Sequence, residues 1–147
     1  DSFRCARHCH RSQKWLRKKC LPDAIVIEHP RYAGGHLGAT RAEEINDPRF
    51  DFEAVLTGIF DVFKELGIER ERIPLIPAGG INSHEKVRGL LDLGAAAVQI
   101  GTQNFVDPFV WSKVLDGMTD YLTRHKIAKL SELIGAFDPT PTKTVHA

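Results

Sequence analysis

The sequence has few cysteines, no strong charge excess and no long apolar run. Three cysteines in 147 residues do not make a disulfide framework and favour a reducing compartment. The formal net charge of +1 gives no general case for nucleic-acid binding. No stretch approaches the roughly 18 apolar residues of a membrane span, and basic residues interrupt any leader-like region at the start. We therefore expect a cytoplasmic protein without a membrane span or a nucleic-acid partner.

The first segment, residues 2–20, reads as a basic amphipathic helix. It contains four side chains that often bind metals: Cys5, His8, Cys9 and His10. Their spacing matches no common zinc pattern and no second ligand pair follows downstream, so we predict no metal site. The basic side chains lack interleaved aromatic residues, which favours a solvated helix face over a nucleic-acid surface.

Helical and extended patterns alternate along the rest of the chain. Short apolar runs predict three strands at residues 24–27, 73–78 and 97–100. Longer periodic segments predict helices at residues 51–66, 83–93, 108–124 and 128–134. Gly67 would end the first of these helices, and Ser83 can N-cap the second. Such alternation is typical of an α/β fold with a parallel sheet. The first strand is apolar on both faces, which predicts that it is buried.

The length of the chain limits which α/β fold it can form. One domain is the usual expectation for 147 residues. A complete (β/α)8 barrel takes roughly 250 residues, so the chain holds either part of such a barrel or a smaller fold. Residues 138–147, which contain two prolines and three threonines, predict a flexible tail.

Two of the predicted strands end at glycines that suit phosphate binding. Gly79 and Gly80 follow the second strand, and Gly101 and Thr102 follow the third. Backbone N–H groups at such positions can approach an anion without a Cβ in the way. The paired strand ends predict a phosphate site, although a tight turn that needs a positive φ would also explain Gly79 and Gly80.

A second glycine-rich segment follows the first strand. Gly34, Gly35 and Gly38 surround His36, which would lie on the same face as the phosphate loops. Histidine titrates near neutrality and suits proton transfer. A turn histidine that bonds a nearby carbonyl is the alternative. Glu28 could orient His36 or form a salt bridge at the strand end.

Four segments, taken in order, resemble the last three strands of nitronate monooxygenases: residues 23–28, 33–38, 73–81 and 98–102. The resemblance implies the C-terminal part of an FMN-dependent TIM barrel, about three parallel strands with flanking helices, over residues 1–137. It implies that His36 is the catalytic histidine and that Gly34 and Gly35 line the flavin. It also implies which residues hold the FMN phosphate region: Gly79, Gly80, Gln99, Gly101 and Thr102.

The C-terminal end is similar to another FMN barrel family, the dihydroorotate dehydrogenases. Residues 101–109, 114–117 and 130–135 carry this resemblance. Those enzymes share the phosphate loops but lack the Gly-Gly-His segment. FMN is therefore the common expectation, while the two resemblances imply different substrates.

The resemblance implies an enzyme that oxidises alkyl nitronates or nitroalkanes with O2 to a carbonyl compound and nitrite. We expect this chain to be inactive alone, with the missing half of the barrel supplied by a longer parent chain. The alternatives are an FMN oxidoreductase of dihydroorotate dehydrogenase or enoyl reductase type and, in another class, a phosphosugar-binding barrel segment without flavin.

Overall fold

The computed structural model describes residues 21–32 and 41–137. Several predictions fall outside these residues and stay predictions. They concern the first helix (residues 2–20), the segment with Gly34, Gly35 and His36, and the tail (residues 138–147).

The described strands form a short parallel sheet. Strand β1 (Ile25–Glu28) pairs with β2 (Leu75–Ala78) from the first residue of each strand to the last. The third predicted strand is reduced to one parallel bridge between Ala78 and Gln99, in which the Gln99 N–H donates to the Pro77 carbonyl at 2.9 Å. The parallel order is confirmed, with two strands and a bridge in place of three strands.

The prediction that β1 is buried on both faces was wrong. Exposure alternates along the strand, and the Val26 side chain is 53% exposed. Within the described residues β1 pairs with β2 alone, so it is an edge strand. Apolar runs mark central strands only where elements cover both faces.

The described α-helices are α1 (Phe52–Glu65), α2 (His84–Asp92), α3 (Gln103–Val106) and α4 (Val110–His125). Helices α1, α2 and α4 follow the predicted periodicity, whereas the short α3 was not predicted. Helix α1 ends before Gly67, which has a φ of +66°, as its sequence predicts. The helix predicted at residues 128–134 is a short 3-10 helix. There are four 3-10 helices within the described residues: Ala42–Asn46, Pro48–Phe50, Arg70–Arg72 and Leu130–Leu133.

The core lies between β2 and the helices. Its most deeply buried large side chains belong to α1, α4, β2 and the segments beside β2: Leu56, Phe63, Ile73, Leu75, Ile81 and Val110. Helices α2 and α4 pack against each other. Strand pairing places Ala78, at the C-terminal end of β2, beside Glu28 and Gln99, at the edge where barrel enzymes bind their ligands.

Two features are absent from the described residues. Across residues 21–32 and 41–137, no helix is both long and apolar enough to cross a membrane. In the same residues, no group of three or more His, Cys, Asp and Glu side chains is placed to hold a metal ion.

Candidate functional site

The strand ends surround one cleft of about 540 Å³. It contains all five described residues that the resemblance assigns to the phosphate region: Gly79, Gly80, Gln99, Gly101 and Thr102. Four charged or aromatic side chains also border it: Glu28, Arg31, Tyr32 and Lys86. The predicted residues thus come together in space from two separate strand ends.

The turn after β2 needs glycine for its backbone conformation. Gly79 has a φ of +94° and Gly80 a φ of +69°, both in the left-handed region that costs other residues energy. Helix α2 begins four residues later, and the Ser83 hydroxyl accepts the Lys86 N–H at 3.5 Å as the predicted N-cap. The turn therefore carries the chain sharply from the strand end into a capped helix.

Lys86 orients the backbone of this turn. Its Nζ donates to the Gly80 carbonyl at 2.9 Å. In a trans peptide the carbonyl and the following N–H point in opposite directions, so this bond also fixes the direction of the Ile81 N–H. Lys86 also lines the cleft.

Asn104 orients the backbone of the second glycine strand end. Its Nδ2 donates to the Ile100 carbonyl at 3.0 Å and to the Gly101 carbonyl at 2.9 Å. The N–H groups of Gly101 and Thr102 belong to these two peptides and therefore point away from Asn104. Among the described residues these N–H groups have no protein acceptor.

The space around the two glycine pairs differs. A Cβ built on Gly101 would meet nothing within 4 Å. A Cβ built on Gly80 would come within 2.6 Å of the Tyr32 ring. The Gly101 end is thus open to a ligand, whereas a side chain already covers part of the Gly79–Gly80 turn.

The charges of the cleft fit a phosphate. Arg31 and Lys86 are cations, and Glu28 is an anion at the end of β1. With the two free N–H groups of Gly101 and Thr102, this is a donor set suited to a phosphomonoester, which backbone amides and cations bind in many proteins.

The sequence alone did not identify Arg31, Tyr32, Lys86 or Asn104 as site residues. Two of them could have been recognised from their positions in the sequence. Lys86 and Asn104 lie six and three residues after a glycine strand end, in the first turn of a helix. A donor there can bond the carbonyls of the preceding turn. Tyr32 and Arg31 had no such signal, because their contacts depend on how two strand-end loops meet.

The chain matches the family model described as nitronate monooxygenase over residues 6–107. Since this match covers more than half of the chain, the protein belongs to the nitronate monooxygenase family.

Curated relatives carry the other predicted resemblance. The catalytic subunit of dihydroorotate dehydrogenase B (NAD(+)) from Parabacteroides distasonis is 49% identical over 67 residues, 46% of this chain and 22% of that protein. A putative dihydroorotate dehydrogenase A (fumarate) from Aquifex aeolicus is 38% identical over 77 residues, 52% of this chain and 24% of that protein. These matches span less than a quarter of the curated relatives' length.

Solved structures show the fold. Ligand-free DHODH from Eimeria tenella matches with a TM-score of 0.59 and 18% identity, over 91% of this chain and 36% of that one. The same enzyme in complex with ferulenol matches with a TM-score of 0.58 and 16% identity, over 90% and 35%. These neighbours confirm that the chain is a partial TIM barrel.

The two resemblances agree on the cofactor and the broad chemistry. Nitronate monooxygenases and dihydroorotate dehydrogenases are both FMN-dependent oxidoreductases, which confirms the FMN prediction at the level of the family. The two families oxidise different substrates, so the shared cofactor does not identify the reaction of this protein.

Proposed function

We propose that the full-length protein containing this chain is an FMN-dependent nitronate monooxygenase. It would oxidise alkyl nitronates with O2 to a carbonyl compound and nitrite. The observation that carries the proposal is the cleft, where two glycine strand ends and two cations meet at the end of a parallel sheet. The match to the nitronate monooxygenase family supports the choice of reaction.

In this proposal the described residues anchor the phosphate of FMN. Gly101 and Thr102 supply N–H donors that Asn104 holds in place. Gly79, Gly80 and Gln99 line the same cleft. Arg31 and Lys86 offset the phosphate charge. Bound FMN would supply the electron transfer between the nitronate and oxygen.

His36, which lies outside the described residues, is proposed as the catalytic residue on the basis of the family resemblance. It would remove the α-proton of a neutral nitroalkane or donate a hydrogen bond to an anionic nitronate. Gly34 and Gly35 would leave room for the flavin beside it. We expect His36→Asn to lower nitroalkane turnover about 100-fold or more, the range of general-base catalysis. An unchanged rate would remove His36 from this role.

The rest of the site is proposed to come from the remaining barrel strands of the parent protein. Within the described part of the chain, β1 has one paired neighbour and an exposed Val26. A barrel closes only when every strand is paired on both edges. We therefore expect FMN affinity and activity to require those strands, and we expect the whole protein to work in the cytoplasm.

Nitrite release tests the proposal directly. The full-length protein is reconstituted with FMN, and nitrite is measured with a nitroalkane, with its nitronate and with dihydroorotate. Release of nitrite from the nitronate supports a nitronate monooxygenase. Absence of release together with dihydroorotate turnover would overturn it.

A second candidate is an FMN oxidoreductase of dihydroorotate dehydrogenase type. The identity of 49% to the catalytic subunit from Parabacteroides distasonis favours it. The same assay separates the two, and an enoyl thioester tests the related enoyl reductase activity. A full-length protein that retains no flavin absorption after incubation with FMN and removal of the unbound FMN would instead favour a phosphosugar-binding barrel.

A further inference from the structure

Tyr32 lies directly on the backbone of the Gly79–Gly80 turn. A Cβ on Gly80 would come within 2.6 Å of two ring carbons of Tyr32, and a Cβ on Gly79 within 2.9 Å of the Tyr32 Cβ. Such approaches are closer than packed carbon atoms tolerate. The two glycines therefore leave the space that the Tyr32 side chain fills.

His29 holds Tyr32 at this position. Its N–H donates to the Ala78 carbonyl at 3.2 Å, and its own carbonyl accepts the Tyr32 N–H at 2.9 Å. Its Nδ1 accepts the Arg31 N–H at 3.1 Å, and its ring lies 5.0 Å from the Tyr32 ring. The turn after β1 is thus attached to the end of β2 by backbone and side-chain contacts.

The start of α1 supports the same residue from another direction. His29 Nε2 is 3.6 Å from Asp51 Oδ1, and its ring meets Phe52 edge-on at 5.6 Å. His29 is 8% exposed, so it is a polar side chain that lies buried within the described part of the chain. Contacts on several sides leave this residue little freedom to move, and protein groups alone explain its placement.

Tyr32 itself combines this fixed backbone with a partly free side chain. It is 46% exposed and borders the same cleft as Gly101 and Thr102. Glycine turns lose more conformational freedom on ordering than other turns, and a contact that orders them beforehand improves binding. The side chain is therefore placed to hold the turn in its positive-φ conformation before an anion arrives.

We propose that Tyr32 is a positioning residue, held by His29, that pre-orders the Gly79–Gly80 turn for the phosphate of the ligand. The proposal rests on the proposed function, because it takes the cleft to be the phosphate site of FMN. It predicts selectivity: Tyr32 contributes to binding FMN and little to binding riboflavin, which lacks the phosphate.

The test compares the two ligands in the full-length protein. FMN and riboflavin are titrated by flavin fluorescence against wild type, Tyr32→Phe and Tyr32→Ala. We expect Tyr32→Ala to raise the Kd of FMN about tenfold and that of riboflavin less than about twofold, since it removes pre-ordering of the phosphate turn. Tyr32→Phe keeps the ring and should bind both ligands as wild type does.

Other outcomes overturn the proposal. Equal losses for FMN and riboflavin would show that Tyr32 contacts the flavin itself. A loss in Tyr32→Phe as large as in Tyr32→Ala would show that the hydroxyl binds the ligand. Tyr121→Ala, which changes the tyrosine of α4 outside the cleft, is the matched control. If Tyr32→Ala does not fold, Tyr32→Leu is measured in its place. We again expect the Kd of FMN to rise more than the Kd of riboflavin.

A double-mutant cycle tests the contact independently. Gly80→Ala is combined with Tyr32→Ala, and melting temperatures are measured without ligand. We expect Gly80→Ala to lower the melting temperature less in the Tyr32→Ala background, because the collision with the ring is gone. Additive effects would overturn the proposed contact.

The two proposals fail in different ways. FMN binding that is indifferent to Tyr32→Ala would overturn the positioning role and leave the flavoprotein proposal standing. Failure of the wild-type full-length protein to bind FMN would overturn the proposed function and the positioning role together.

Discussion

The two glycine strand ends look alike in sequence and differ in structure. At the first, Gly79 and Gly80 adopt a positive φ and lie against Tyr32. At the second, Gly101 has open space where a Cβ would be, and its carbonyl is bonded by Asn104. The first end needs glycine for the conformation of the chain, and the second leaves room for a ligand.

This difference shows that a glycine can serve folding or binding at equivalent places in a fold. At the first end, a substitution disturbs the protein before any ligand binds. At the second end, an added side chain should leave the folded protein stable but should obstruct the ligand. Measurements of stability and binding on the same variants therefore separate the two roles.

Gly80→Ala should have the largest effect. The left-handed backbone and the collision with Tyr32 together should lower the free energy of unfolding by about 2 kcal/mol. The distorted turn should also raise the Kd of FMN about tenfold. Chemical denaturation and a flavin titration measure both quantities.

Gly58→Ala is the matched control for this variant. Gly58 lies in α1, where a Cβ would meet nothing within 4 Å. The change should raise the free energy of unfolding by up to about 1 kcal/mol, the helix propensity difference. A Gly80→Ala protein as stable as Gly58→Ala would contradict the structural role of the first end.

Gly101→Ala should affect binding alone. The free energy of unfolding should change by no more than about 0.5 kcal/mol, because the added methyl group meets no protein atom. The Kd of FMN should rise several-fold, since the methyl group would stand where the phosphate approaches. Unchanged FMN binding would remove Gly101 from the phosphate site.

Lys86→Gln should have a smaller effect. It removes a cation from the cleft and weakens the bond to the Gly80 carbonyl. Because Lys86 is exposed, we expect the Kd of FMN to rise only about threefold, with a weaker dependence on salt. Lys64→Gln, an exposed lysine of α1 outside the cleft, is the control. Equal effects of the two variants would argue against a role for Lys86.

Lowering the pH should have the smallest effect on stability. We expect it to act on the ion pair between Asp107 and Lys113, which follows the second glycine strand end in the sequence. The Lys113 ammonium, which donates to Asp107 Oδ2 at 2.6 Å, lowers the pKa of the Asp107 carboxyl, and the Phe109 N–H contributes. A lowered folded-state pKa stabilises the protein above the unfolded value, and this contribution is lost as the pH falls through the folded value.

The melting temperature of Asp107→Asn should therefore fall less than that of wild type between about pH 5 and pH 3. Asp116→Asn, an exposed aspartate of α4, is the control and should follow wild type. Identical acid profiles for all three proteins would show that the Asp107–Lys113 pair does not contribute to folding.

Local patterns predicted the helices better than the strands. The apolar period of 3.6 residues identified α1, α2 and α4, and Ser83 was recognised as the cap of α2. Strand burial was predicted less well, because an apolar run such as residues 24–27 is buried only if another element covers it. The exposed Val26 shows that burial depends on what packs on each face of the sheet.

Part of the candidate site was readable from sequence. Glycines at the ends of two apolar runs predicted a shared phosphate cleft, because neighbouring parallel strands end at the same edge. Lys86 and Asn104 could have been found as donors in the first helical turn after each glycine end. Tyr32 could not, since its contact with Gly80 joins residues that are 48 positions apart along the chain.

The sequence by itself determined the α/β order, the glycine strand ends and the membership of an FMN-dependent family. These follow from local periodicity and from motifs whose residues are neighbours in the chain. The tertiary structure alone decided which strand is exposed, which glycine is covered and which is open. Those properties depend on distances between segments that local sequence patterns do not encode, as the packing of Tyr32 on Gly80 shows.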